Sequence, residues 1–239
     1  MIEAHLKKLR KRVNISREEE EAIRGAMSEV REVRADRTII RRGEELNTSL
    51  MLLSGWLART RDLATGQRQV SELHVTGDFA DLHAFTLKRL DHNVITMSPC
   101  TIAVFPHERL VHLFERFPHL ARIYWFITNV DAAIHREWTV SLGRRSALSR
   151  MAHLFAELLV RLEIVGETDG NSFEFPLTQQ ELGECLGLTS VHVNRTLQEL
   201  RRRNLIELEN RRATILDLEG LHDVAEFDPF YLYLEHRDR

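Results

Sequence analysis

Between Thr178 and Thr189 the chain carries a helix start, a helix stop and a second helix start. Thr178 and Glu181 form a T-x-x-E capping box, whose hydroxyl and carboxylate satisfy amides that the first helical turn leaves open. Leu182 and Leu186 then fall on one face. Gly187 stands where a helix ends on a residue at positive φ. Thr189 is the next N-cap, and Val193, Leu197 and Leu200 give the following helix one apolar face. Two helices joined so tightly must pack across each other, and Gly183 leaves room where a bulky side chain would clash. These are the requirements of a helix-turn-helix.

The outward positions of the second helix are Ser190, His192, Asn194, Arg195 and Gln198. Such side chains donate to or accept from base edges and phosphates; Arg suits guanine and Asn suits adenine. Arg201, Arg202 and Arg203 close the helix, in reach of phosphate but also favoured there by the helix dipole. Next, Ile206 and Leu208 alternate with polar residues, Asn210-Arg211-Arg212 reads as a turn, and Ala213, Ile215 and Leu216 return. This is a hairpin with a basic tip, the wing of a winged helix. The expected DNA contacts are therefore Thr189, Ser190, His192, Asn194, Arg195, Gln198, Arg211 and Arg212. The net charge of −3 does not advertise nucleic acid binding, but local placement of charge sets the potential a ligand meets.

Upstream, from Glu32 to Phe105, short stretches rich in β-formers appear, such as Thr38-Ile39-Ile40 and Leu50-Met51-Leu52-Leu53. Glycines 43, 55, 66 and 77 punctuate them at a rhythm that fits strands and turns. A β-roll is expected. Ser16 and Glu19 form a capping box before it. After it, Pro118 fits the first turn of a long helix, along which Leu120, Ile123, Tyr124, Ile127, Ile134 and Trp138 make an apolar stripe. The stripe has two possible destinations, the roll itself or a dimer seam. Gly143 interrupts the pattern, a second helix runs from about 146 to 164, and 166–171 reads as a loop. The expected domains are 1–142, with the dimerisation helix at about 118–142, and 143–239. The fold class is α+β.

Other functions find little support. A hydrophobic content of 43% allows a sizeable core. No apolar run reaches the ~20 residues of a membrane span, and no signal core follows the basic stretch Lys7 to Arg12, so a cytoplasmic location without membrane contact is expected. Cys100 and Cys185 lie too far apart for a CxxC pair and read as buried thiols. His74, His83 and His92 invite comparison with a cupin-like metal enzyme, but they stand nine residues apart and lack the H-x-H spacing. No Ser-His-Asp grouping or phosphate loop stands out, so no catalytic residue, metal or cofactor is expected. An interaction module that has lost DNA binding is disfavoured by the polar face at 190–198.

The segment Leu177 to Ile206, LTQQELGECLGLTSVHVNRTLQELRRRNLI, resembles the Crp–Fnr family of bacterial transcription regulators. The order of parts is similar over nearly the whole chain: a cyclic-nucleotide-binding-like β-roll, a long helix, a hinge and a winged helix. The resemblance implies a homodimer paired through the long helix, reading a palindromic site in double-stranded DNA, with RNA polymerase as a partner. Arg195 matches the family's recurrent recognition-helix arginine, whereas a glutamate common two residues into that helix is here Val191. The cyclic nucleotide cassette also departs from the pattern. Gly77-Asp78-Phe79 is followed by Ala80-Asp81-Leu82-His83, and the Arg-Ser position falls near Leu90-Asp91, with Arg89 beside it. A regulator that does not respond to cyclic AMP is expected; one gated by a cyclic nucleotide or another small ligand is the alternative.

Overall fold

The structure, a computed structural model, describes residues 1–238. Its contacts divide the chain into two units: Met1–Thr60 with Leu73–Ala133 and the C-terminal residues from 232, and Arg61–Glu72 with Ile134–Tyr231.

The first unit opens with helices α1 (Glu3–Arg12) and α2 (Arg17–Ala26). Strands β1 (Glu29–Val33), β2 (Thr38–Ile40), β3 (Thr48–Ser54), β4 (Leu57–Asp62) and β5 (Arg68–His74) follow. After the short helix α3 (Ala84–Leu87) come β6 (Asn93–Thr96), β7 (Cys100–Pro106) and α4 (His107–Arg116). The strands form two antiparallel sheets, ordered β1-β7-β3 and β2-β6-β4-β5. The β-roll was thus legible, and its punctuating glycines 43, 55, 66 and 77 all sit at positive φ.

Side chains alternate across a strand, and here the alternation sorts residues into two cores. Met51, Ala103 and Phe105 face a core built with α1, α2, α4 and Leu120, Ile123 and Tyr124. Their neighbours Leu50, Leu52, Ile102 and Val104 face the roll interior with Ile40, Leu57, Leu90 and Val94. Full burial of a side chain such as Phe105 contributes about 1.5–3 kcal/mol. The Ser16–Glu19 capping box forms as expected.

Helix α5 (Pro118–Arg144) runs 27 residues, about 40 Å at 1.5 Å per residue. Gly143 does not interrupt it. A glycine near a helix end costs only about 1 kcal/mol against alanine, and the break comes at Ser146, which caps the next helix, α6 (Ala147–Val165). The apolar stripe is also redistributed. Leu120, Ile123 and Tyr124 belong to the first unit's core, and Ile127 packs against it. Ile134 and Trp138 are buried as well, while Trp125 and Val140 stand exposed on α5.

In the second unit, Gly166 ends α6 in the left-handed conformation. The expected loop at 166–171 is instead a hairpin of β8 (Thr168–Asp169) and β9 (Ser172–Glu174). Helices α7 (Gln179–Leu186) and α8 (Ser190–Arg202), strands β10 (Ile206–Glu209) and β11 (Arg212–Ile215) and helix α9 (Leu218–Ala225) complete it before a 3-10 turn at Pro229–Leu232. The sheet order is β10-β11-β9-β8, so that hairpin extends the wing. The buried carboxylate of Glu157 ties the unit together, accepting from Trp138 Nε1 at 3.1 Å, Arg161 Nη1 at 2.8 Å and the Tyr231 hydroxyl at 2.9 Å. Among the described residues no helix is long and apolar enough to cross a membrane.

Candidate nucleic-acid interface

Local chemistry fixes the two helices that matter. Thr178 Oγ1 accepts the Glu181 amide at 3.2 Å, and Glu181 Oε2 accepts the Thr178 amide at 2.7 Å, closing the capping box at the start of α7. Gly187 ends α7 at φ +63°, returning its amide to the Gly183 carbonyl. A Cβ on Gly183 would lie 2.5 Å from the Leu188 carbonyl oxygen. That is inside van der Waals contact with backbone, so glycine there is a packing requirement. Thr189 then accepts the His192 amide at 3.3 Å and starts α8.

Val193, Thr196, Leu197 and Leu200 turn α8 inward, and all are buried. Ser190, Val191, His192, Arg195 and Gln198 are exposed, and Asn194 is half-buried. The predicted contact residues of the helix therefore share its outward side, at the end where the helix dipole is positive. An open groove runs from the start of α6 to α8, bordered by Ser146, Ala147, Leu148, Val191, His192 and Arg195.

The wing differs in detail. Asn210 and Arg211 both have positive φ, +51° and +58°, as a two-residue hairpin turn demands. Of the two wing arginines, Arg211 is the one at the tip. Arg212, expected in the turn, is the first residue of β11, pairs in register with Glu209 and Glu174, and lies 3.4 Å from the Asp169 carboxylate. The terminal arginines of α8 are engaged within the fold. Glu199 accepts from Arg202 Nη2 at 2.8 Å and Arg203 Nε at 2.7 Å, and Arg201 donates to the Leu208 carbonyl. The bonds from Arg202 and Arg203 lower the Glu199 carboxyl to about 2.

Two residues outside every local motif hold α7 from behind. The Arg150 guanidinium, on α6, donates to the carbonyls of Ser141, Leu142 and Arg145 at 3.1–3.2 Å and to that of Leu186. It thus caps the C-terminal ends of α5 and α7 together, where the helix dipole favours a cation. Gln69 Nε2 adds a bond to the Glu184 carbonyl at 2.8 Å. No local pattern betrays them, since Gln69 and Glu184 are 115 residues apart.

In the β-roll, Leu90 is buried in the interior core, and Asp91 points to solvent beside His92 at 2.9 Å. Arg89 is exposed and meets Glu45 at 3.1 Å. The buried Asp81 accepts the Leu50 amide through Oδ1 at 2.6 Å, while its Oδ2 has no hydrogen-bond partner among the described residues. Burial pushes its carboxyl up to about 7. Arg59, 2% exposed, donates to the Ala80 carbonyl at 2.8 and 3.0 Å and to Asp131 at 2.8 Å. His74 is buried at the end of β5, whereas His83 and His92, nine residues apart, come together with ring centroids 5.4 Å apart. Both cysteines are buried.

Residues 149–224 match the family model of the Crp-like helix-turn-helix domain, and residues 30–117 that of the cyclic nucleotide-binding domain. The chain is 26% identical to the transcriptional activator protein FnrL of Cereibacter sphaeroides, covering 78% of this chain and 75% of FnrL. It is 29% identical to a probable transcriptional activator of Rhizobium leguminosarum, over 80% and 79% of the two chains. The structure of FixK2 from Bradyrhizobium japonicum superposes with a TM-score of 0.76 at 20% identity, covering 83% of this chain and 96% of FixK2. Two domain matches in the right order, a β-roll and a winged helix-turn-helix of the matching kind, and relatives that are transcription activators converge: the chain belongs to the Crp–Fnr family of DNA-binding transcription regulators.

Proposed function

We propose that the protein acts in the cytoplasm as a homodimer that reads a palindromic operator and contacts RNA polymerase, and that cyclic AMP and cyclic GMP are not its signals. Residues 1–142 form its sensor-like domain and 143–239 its DNA-binding domain. The observation that carries the reading is the outward side of α8: Ser190, His192, Arg195 and Gln198 are exposed around a rigidly capped helix start. With Thr189 and Asn194 they supply the base and phosphate contacts, and Arg211 and Arg212 position the wing on the backbone. Two-fold symmetry would set the half-sites about one helical turn apart.

Trp125, 72% exposed on α5, supports a second copy of this chain as the occupant of that part of the helix. Of the apolar stripe, Ile134 is buried and Ile127 packs against the first unit's core, so Ile127→Asp would damage that core. Trp125→Asp is the cleaner disruption. It should convert a dimer to a monomer in light scattering at micromolar concentration, and a wild-type monomer would refute the reading.

A cyclic phosphate buried on binding needs a cation and donors. Leu90 offers neither, Arg89 meets Glu45 at the surface, and Arg59 is engaged by Asp131 and Ala80. A different small ligand is the second reading, favoured by the uncapped Oδ2 of Asp81 inside the roll. Calorimetry with each nucleotide, followed by operator binding with and without it, tests the proposal. Micromolar nucleotide binding that switches operator affinity would overturn it.

A further inference from the structure

Val191 is the apolar residue on the otherwise polar outward side of the start of α8. It is the second residue of α8, 64% exposed, and lies among Ser190, His192 and Arg195. Exposure forgoes the stabilisation that burial of its methyl groups would bring, and its β-branch makes it a weaker helix former than Ala, Gln or Lys. Neither core packing nor helix propensity accounts for it. It borders the open groove beside α8 together with His192 and Arg195.

The N-terminal residues of a recognition helix meet base edges in the major groove. Those edges are rows of donors and acceptors with one apolar feature, the 5-methyl group of thymine. Set against a guanine, an adenine or the amino group of cytosine, a valine removes water from a polar edge and returns no hydrogen bond, which is unfavourable. Set against thymine it meets a methyl group. Arg195 follows one turn later, about 6 Å along the helix, which matches about two base steps at 3.4 Å each.

We propose that Val191 is a specificity-determining residue that reads the methyl group of a thymine in each half-site, within about two base pairs of a guanine read by Arg195. This rests on the reading of α8 as the recognition helix.

The operator of the full-length protein is first obtained by in vitro selection. Each thymine of one half-site is then replaced by deoxyuridine, which removes the methyl group and nothing else. At one position wild-type affinity should fall about three- to tenfold, the scale of one buried methyl. Val191→Ala should bind the thymine and uracil forms of that site alike. Val191→Glu should shift the preferred base there towards cytosine, whose amino group a carboxylate accepts. Because Val191 is exposed, both variants should keep the wild-type melting temperature. The assignment is overturned if no thymine methyl matters, or if Val191→Ala keeps the full wild-type preference for thymine over uracil. A wild-type protein without any sequence preference would instead bring down the recognition-helix reading itself.

Discussion

The roll interior and the outward side of α8 hold the same kinds of polar group and treat them in opposite ways. Inside the roll, Arg59 is buried with its N–H groups directed to Ala80 and Asp131, and Asp81 holds the Leu50 amide. On α8, Arg195 and Gln198 are exposed and make no side-chain hydrogen bond or ion pair with the described residues. A buried polar group is costly until it is paired, so the first set is committed to folding. The second set is hydrated, and folding does not need it. Chemistry alone therefore does not mark a functional residue; its degree of internal commitment does.

The difference should be largest at Arg59. Arg59→Met removes the donor of the Ala80 carbonyl and one partner of Asp131, and breaking a mostly buried pair costs about 3–4 kcal/mol. Urea unfolding of the first unit measures it, and a loss below 1 kcal/mol would place the pair in effective contact with water. His5 sharpens the same point through pH. Its ring bonds Gly77 and Tyr124 at 2.9 and 3.0 Å, and burial lowers its pKa to about 4. Below pH 6.5 the unfolded chain takes up a proton that the folded chain refuses. Stability is thus full above about pH 6.5 and falls as pH drops towards 4, by on the order of 3 kcal/mol at about 1.4 kcal/mol per unit. His5→Gln should flatten that slope, and an unchanged acid limb would locate the titration elsewhere.

On α8 the order of effects reverses. Arg195→Ala should change stability by less than about 0.5 kcal/mol yet weaken operator binding by about 1–3 kcal/mol if it makes a bidentate base contact. Equal losses on all DNA would reassign it to phosphate. The smallest effect belongs to the wing. Arg211→Gly removes one charge at a residue whose positive φ glycine accepts. It should weaken binding on all sequences alike and make the salt dependence shallower by about one unit. A loss confined to one sequence would show that Arg211 reads a base.

What the sequence displayed follows the same division. The helix-turn-helix was legible because its determinants lie within a few residues: a hydroxyl and carboxylate at i and i+3, a glycine at positive φ, and Gly183 against Leu188. The roll was legible through its glycine rhythm and period-2 strands. Less visible was whatever depends on remote pairing. The hairpin at 168–174 joins the wing through Phe173 and Ala213, which lie 40 positions apart. The α5 stripe marks the helix's apolar positions but not which of them face the chain's own core: Ile127 packs against it, while Trp125 and Val140 stand exposed. Arg212 slipped from turn to strand because a two-residue turn and a three-residue turn look alike until register is known.

Arg150 holds the ends of α5 and α7 through four carbonyl oxygens, and α8 follows directly after. Mechanically this makes the junction the short arm of a lever. The six residues from Ser190 to Arg195 give its long arm, about 9 Å at 1.5 Å per residue. A tilt of about 5° at the clamp carries Arg195 about 0.8 Å, whereas directed polar contacts tolerate misplacement of only about 0.5 Å. On the proposed reading of α8, whatever loosens one guanidinium from one of its carbonyls is therefore felt by the side chains that would meet a base.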